Sequence, residues 1–205
     1  MQRLAITQRL EKTATETRAC LDVNWPAFAE AFGAVVVPVP VGGSVAAWWQ
    51  ANAPFDGVIL TGGGDVAAVS SDPLSMARDA LEREVVRLAG DLPVLGVCRG
   101  AQFLAVEDGG TLTELPGHIG TTHALSVRPG SRWFGAHHGS VVNSFHRWNL
   151  GGTRTLAVVA TAQGANEAFE HPTRRQAGLV WHPERSAPFA PNDLALFARF
   201  FAASP

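Results

Sequence analysis

Three residues in this chain have the types and spacing needed to break an acyl bond. Cys98 lies in Gly96-Val97-Cys98-Arg99-Gly100, between an apolar, β-branched run and a stretch, Ala101 to Val106, that reads as a helix stopped by Gly109-Gly110. A Gly-x-nucleophile-x-Gly turn between strand and helix is a nucleophile elbow: the glycines relieve crowding, and the middle residue is held strained and exposed. The helix that follows aims its N-terminus at Cys98, which lowers a thiol's pKa and favours the attacking thiolate. A base is expected in Val180-Trp181-His182-Pro183-Glu184, directly after the apolar run that starts at Ala177. If that run is a strand, residues two apart project to one side, so Glu184 can orient the His182 ring while its other nitrogen faces the thiol. This is the chemistry of covalent, nucleophilic acyl transfer.

Such chemistry also needs donors for the developing oxyanion. Leu60-Thr61-Gly62-Gly63-Gly64-Asp65 closes an apolar run with a glycine loop, where the backbone can come close to a reacting carbonyl. The N–H groups of Gly63 and Arg99 are the expected pair. A tight turn without function is the competing reading of the loop alone. All seven histidines fall between His118 and His182, yet their spacings fit no standard zinc pattern and no Cys pair accompanies them, so no metal is assigned.

These motifs carry a resemblance. Gly96-Val97-Cys98-Arg99-Gly100-Ala101-Gln102, Trp181-His182-Pro183-Glu184 and the glycine loop resemble the signatures of class I glutamine amidotransferase-like proteins. Val142-Asn143-Ser144-Phe145-His146 and the Asp72-Pro73…Arg78-Asp79…Glu82 segment are similar to the gamma-glutamyl-gamma-aminobutyrate hydrolase branch. The resemblance implies one domain spanning residues 1–205 and hydrolysis of a gamma-glutamyl amide through a glutamyl thioester, with neither metal nor cofactor. It assigns Cys98, His182 and Glu184 to a triad, and Gly62, Gln102, Asn143, Ser144 and His146 to the glutamyl pocket. Where the family often has a second His or Gln after His146, this chain has Arg147-Trp148.

The segment Ile6 to Glu11, Thr17 to Asp22 and Trp25 further resembles a smaller group in this branch. Those proteins are encoded beside capsule-phosphoramidate enzymes and cleave glutamine joined through its amide nitrogen to cytidine diphosphate. Independently of that likeness, Arg9 follows the first strand and Arg18 the polar segment after it, and two guanidinium groups at the pocket mouth suit a diphosphate. Trp25 could offer a face to the base. Pairing of the two arginines with Glu11 and Glu16 is the competing reading. Two other activities stay open: a gamma-glutamyl-gamma-aminobutyrate-type hydrolase, and a glutaminase subunit passing ammonia to a partner synthase.

The elements that must position these residues read as an α/β three-layer sandwich with a mostly parallel sheet. Strands are expected at Leu4–Thr7, Ala34–Val39, Gly57–Leu60 and Pro93–Val97, and helices from Asn24 to Gly33, Val45 to Gln50 and Asp72 to Gly90. Residues 11–22 show no clean apolar face and read as a loop or frayed helix. The second half reads as short hairpins at Ala124–Val127, Ser140–Val142, Leu156–Ala160 and Ala168–Glu170, adding antiparallel strands. A helix from about Asn192, with Leu194, Phe197 and Phe201 as its stripe, closes the chain. In such a sheet ligands bind beyond the carboxyl ends of the strands, which gathers Arg9, the glycine loop, Cys98 and His182 at one place.

Composition narrows the partners. With 205 residues, 46% hydrophobic content and a net charge of −2, there is ample core material and no basic run to bind nucleic acid. The N-terminus lacks the apolar core of a signal peptide, and the most apolar stretch, Ala31 to Val41, is too short for a bilayer, so no membrane is expected. Two distant cysteines suggest a reducing cytoplasm. The expected ligand is a small gamma-glutamyl compound, nucleotide-linked or not, and a homodimer is left open.

Overall fold

The computed structural model describes residues 1–202. In chain order its elements are β1 (Gln2–Ile6), β2 (Arg9–Lys12), β3 (Thr17–Cys20), α1 (Asn24–Ala31), β4 (Ala34–Pro38), α2 (Val45–Asn52), β5 (Gly57–Leu60), α3 (Pro73–Ala89), β6 (Val94–Val97) and α4 (Arg99–Glu107). The second half adds β7 (Thr111–Glu114), β8 (Ile119–Ala124), β9 (Ser126–Val127), β10 (Val141–Phe145), β11 (Trp148–Gly151), β12 (Ala157–Ala162), β13 (Ala165–Glu170), β14 (Gln176–Leu179) and α5 (Pro191–Phe201).

Eight strands form one sheet in the order β4-β1-β5-β6-β14-β13-β12-β9. The first five run parallel; β13, β12 and β9 complete the sheet antiparallel. Every residue of β5 and β6 is buried, as the uninterrupted apolar runs Gly57–Leu60 and Val94–Val97 require of strands covered on both faces. One apolar cluster lies on the side of α1 and α5, built on Trp25, Phe28, Phe32, Phe197 and Phe201. The other packs α2, α3 and α4 through Val45, Trp48, Leu81, Val85, Phe103 and Leu104. Helices on both faces make this the expected three-layer α/β arrangement.

Helix boundaries follow from local chemistry. The Asp72 carboxylate accepts from the Leu74 N–H at 2.9 Å and Pro73 fills the first turn, while Gly90 at φ 56° ends α3. Asn24 is the first helical residue of α1, and its N–H bonds the Asp22 carboxylate at 3.0 Å. In α5 the buried stripe is Leu196, Phe197, Phe200 and Phe201; Leu194 is only partly covered. Each such side chain contributes about 1.5–3 kcal/mol by leaving water.

Two regions depart from expectation. Residues 11–22 hold no helix: β2 and β3 pair antiparallel, with Arg9 opposite Cys20 and Lys12 opposite Thr17. The Thr13 hydroxyl accepts from the Glu16 N–H at 3.1 Å and closes the turn. Separate two-stranded ribbons, β8 with β10 and β7 with β11, stand beside the main sheet rather than inside it. Among the described residues no helix is long and apolar enough to cross a membrane.

Candidate active site

The carboxyl ends of β1, β5, β6 and β14 deliver Thr7, the Thr61–Gly64 loop, Cys98 and His182 to one edge of the sheet. Cys98 has φ 50° and ψ −107°, a left-handed conformation that non-glycine residues avoid, and it directly precedes α4. Tight packing of loop, strand and helix enforces this turn. A Cβ on Gly100 would stand 2.1 Å from the Leu60 carbonyl oxygen, and one on Gly96 would meet the Gly100 carbonyl at 2.6 Å. The strain is held in place by β14, whose Leu179 carbonyl accepts from the Cys98 N–H at 2.8 Å.

His182 follows β14, the neighbour of β6 in the sheet. Its Nδ1 lies 2.6 Å from Glu184 Oε1, and both side chains are almost wholly buried. That leaves Nε2 for the thiol, to which His182 is hydrogen-bonded. Burial pushes the Cys98 thiol up, but the charge and hydrogen bond of His182, helped by His146, outweigh it and hold the thiol below its ordinary value. His182 shows the converse: burial would lower it, and the Cys98 thiolate together with Glu184 raises it to about 9. Both shifts favour a thiolate–imidazolium pair, a charged nucleophile beside an acid ready to donate.

The glycine loop is fitted to this pair. A Cβ on Gly62 would lie 2.6 Å from the His182 ring, and Gly63, at φ 88°, presses against the Arg9 side chain. The first-turn N–H of Arg99 has no acceptor within its helix, so with the loop amide of Gly63 it can serve an oxyanion.

Beneath the loop lies a buried network that the sequence hints at only through the Arg78-Asp79…Glu82 segment. The Arg78 guanidinium donates to the carbonyls of Thr61 at 2.6 Å, Gly62 at 3.1 Å and Gly63 at 2.6 Å, and to Glu82 at 3.0 Å. Burial lowers its pKa to about 10, with Glu82 opposing. Arg99 spans Asp79 and Glu82 from the other side. Thr7 joins the network, donating to Glu82 at 2.9 Å and accepting from the Thr61 N–H at 3.1 Å.

The residues expected to form the glutamyl pocket are placed more diversely. Gln102 is buried on the first turn after Cys98, its N–H bonded to the Cys98 carbonyl at 3.0 Å. Asn143 grips the backbone of His182 twice, accepting from its N–H at 2.8 Å and donating to its carbonyl at 2.7 Å. Ser144 is fully buried and donates to the His118 carbonyl at 2.7 Å. His146 bonds the Trp148 carbonyl at 3.1 Å and faces Glu167 at 3.3 Å. Arg147 and Trp148 both bind Asp65, just after the glycine loop, the indole N–H at 2.9 Å.

A cleft of roughly 200 Å³ opens at His182, bounded by Arg9, Cys20, Asp22, Trp25, Gly62, Gly63 and Arg185 among others; Cys98 is not in its lining. Arg9 is in its wall and pairs with Glu11; Arg18 is not, and instead pairs with Glu16 in solvent. Trp25 forms part of the floor with 2% exposure, its ring packed on Phe28 and Phe197, so it offers no free face. Sequence reasoning misses Arg185, next to the His182-Pro183-Glu184 turn. It lies 3.7 Å from Asp22 and 3.5 Å from Glu184, with its guanidinium 5.2 Å from the Phe145 ring centre. Both cysteines are free.

The model of the Peptidase C26 family matches residues 3–184. The chain is 29% identical over 189 residues to the gamma-glutamyl-CDP-amidate hydrolase of Campylobacter jejuni subsp. jejuni serotype O:2, covering 89% of this chain and 90% of that one. It is 28% identical over 144 residues to a glutamine-hydrolyzing GMP synthase subunit of Natronomonas pharaonis, covering 63% and 66%. Among solved structures, a glutamine amidotransferase from Thermotoga maritima superposes with a TM-score of 0.65 at 18% identity, over 97% of this chain and 83% of that one.

Proposed function

The chain belongs to the Peptidase C26 family, and from that premise we propose that it hydrolyses a gamma-glutamyl amide with Cys98, His182 and Glu184. One observation carries the reading: a cysteine in a left-handed turn at a helix N-terminus, charged by an imidazolium that a buried carboxylate orients. The Cys98 thiolate attacks the gamma-carbonyl, and the N–H groups of Gly63 and Arg99 receive the oxyanion. His182 Nε2–H gives its proton to the departing nitrogen as the C–N bond breaks, leaving a glutamyl thioester. Neutral His182 then takes a proton from water, the hydroxide attacks the thioester, and glutamate leaves as the thiolate re-forms. Gln102 would line the glutamyl pocket beside Cys98. Asn143 serves it by fixing the backbone of the base.

The favoured substrate is glutamine joined through its amide nitrogen to cytidine diphosphate, which would yield cytidine diphosphoramidate and glutamate. Two findings support this: the relative named gamma-glutamyl-CDP-amidate hydrolase along most of the chain, and guanidinium groups of Arg9 and Arg185 at the cleft. Arg185, rather than Arg18, is the second arginine suited to a diphosphate. A glutaminase serving a partner synthase is the second reading, favoured by the likeness to the GMP synthase subunit.

Glutamate release is to be compared for the cytidine diphosphate conjugate, gamma-glutamyl-gamma-aminobutyrate and free glutamine. The conjugate is expected to win in kcat/KM by at least about 100-fold, roughly 2.7 kcal/mol. Preference for gamma-glutamyl-gamma-aminobutyrate would remove the nucleotide and leave the hydrolase; turnover of glutamine only with a partner present would favour the second reading.

A further inference from the structure

Four buried side chains outside the proposed Cys98–His182–Glu184 triad converge on one point, and one of them, His146, lies within electrostatic reach of Cys98. His118 precedes β8, His123 lies within it, His146 follows β10, and Glu167 stands on β13 of the main sheet. All four are buried. Glu167 Oε1 lies 3.7 Å from His118 Nδ1, 3.2 Å from His123 Nε2 and 3.3 Å from His146 Nε2. Donor atoms of His118, His146 and Glu167 all fall within 4.8 Å of one another.

Hydrogen bonding accounts for this cluster only in part: His146 Nε2 and Glu167 Oε1 make one long bond at 3.3 Å. Charge-assisted N–H···O contacts run to about 2.7–2.9 Å, shorter than any of the three. Both ring nitrogens of His123 and Oε2 of Glu167 have no hydrogen-bond partner at all, although such buried groups are normally satisfied. Around a tetrahedral zinc ion with bonds of about 2.0–2.2 Å, by contrast, neighbouring donor atoms stand about 3.3 Å apart. The three contacts of Glu167 Oε1, at 3.2, 3.3 and 3.7 Å, are of that order. The outer partners also fit. A ligating imidazole usually donates its remaining N–H to a carbonyl, and His146 Nδ1 lies 3.1 Å from the Trp148 carbonyl. The His118 ring is bonded to the backbone of Gln163.

We propose that His118, His146 and Glu167, with His123 drawn in as the fourth ligand when the ion binds, form a structural site for a zinc-type divalent ion. Three imidazoles and one carboxylate suit a borderline ion such as zinc or cobalt(II) rather than calcium or magnesium, which take oxygen ligands. Full burial with four protein ligands makes the site closed, and so structural rather than catalytic. The ion would fasten the β8–β10 ribbon to β13. Since β10 carries Asn143, which holds the backbone of His182, the site would set where the base sits without touching substrate.

The test uses the Cys98→Ala protein, so that no thiolate beside His182 can hold the ion. After chelation and dialysis it is titrated separately with zinc and with cobalt(II), followed by calorimetry, visible absorption and melting. One equivalent should bind, cobalt(II) should give intense bands of tetrahedral type, and the melting temperature should rise. Glu167→Gln and His118→Asn should each weaken binding by about 100-fold or more, while His171→Asn, outside the cluster, should bind as before. If Glu167→Gln does not fold, His123→Asn takes its place. Absence of stoichiometric binding to the Cys98→Ala protein, or equal affinity in the cluster variants, would overturn the proposal and leave a proton, shared between His146 and Glu167, as the occupant.

Discussion

The glycine loop after β5 has arginines on two sides, and the two sets are built on opposite terms. Beneath it, Arg78 and Arg99 are buried against Asp79 and Glu82, and every contact is to protein. Above it, Arg9 and Arg18 stand on the β2–β3 hairpin, about half exposed and each paired with a single glutamate two residues away. Removing one partner of a buried pair strands an uncompensated charge and costs about 3–5 kcal/mol, whereas an exposed pair contributes about 0–1 kcal/mol. The lower set therefore holds the loop's shape, and the upper set is free to exchange its glutamate for a ligand. Charge alone does not tell a positioning arginine from a binding one; its surroundings do.

The largest effect lies between the two sets. Cys98→Ala should abolish turnover, roughly 10⁴-fold or more, with circular dichroism nearly unchanged. A residual tenth of the rate would break both the mechanism and any reading of the flanking arginines.

The charge state of that thiol comes next. In the folded chain His182 is raised to about 9 and Cys98 is lowered. The raised histidine contributes stability present below its unfolded value and lost as pH rises through about 9. The lowered thiol contributes stability present above its unfolded value and lost as pH falls through its own depressed value. The pair thus persists from that depressed value up to about 9. Iodoacetamide labelling of Cys98 should reach its plateau at a lower pH than labelling of a free thiol. In His182→Ala only His146 still opposes burial, so labelling should slow and shift to higher pH. Identical profiles for Cys98 and Cys20 would remove the case for activation.

Arg78→Met tests the lower set directly. The three loop carbonyls lose their donor and Glu82 loses a partner, so stability should fall by about 3–5 kcal/mol. With the loop amides no longer aimed, kcat should fall more than KM rises. A variant that melts like the parent and keeps its kcat would erase the contrast.

The upper set should give the smallest and most selective effects. Arg9→Ala should raise KM for the cytidine diphosphate conjugate about tenfold or more, through lost charge-assisted contacts. A small chromogenic gamma-glutamyl amide should be unaffected. Arg18→Ala should change neither substrate nor melting. Equal losses in both variants, or losses with the small amide, would show that the hairpin supports structure after all.

The same contrast explains what can be read from the chain. The elbow is legible because Gly96 and Gly100 flank Cys98 in sequence, and steric limits at those positions are local. His182 and Glu184 are legible because a strand end puts residues two apart on one side. The β2–β3 hairpin is not, because its strands bury almost nothing and so carry no apolar alternation to mark them. Proximity in sequence puts Arg18 at the cleft, yet on this hairpin it points to Glu16. Arg185 escapes notice because only the fold of the turn after His182 brings it beside Asp22. The histidine cluster is spread from His118 to Glu167 and exists only through pairing of the ribbon and its packing on β13. No spacing rule reaches across such a gap.

The seating of β14 between β6 and β13 has a consequence in time. Cys98 and His182 are neighbours only once this last strand of the sheet has inserted, closing a loop of some eighty residues, and such long-range pairings are slow to form. A chain still emerging from the ribosome, or one stalled before residue 176, carries the proposed nucleophile without its proposed base. Reactivity thus arrives late in folding, and a half-made copy is chemically quiet. During refolding, rapid neutral-pH labelling of Cys98 should rise no earlier than the signal of the completed sheet.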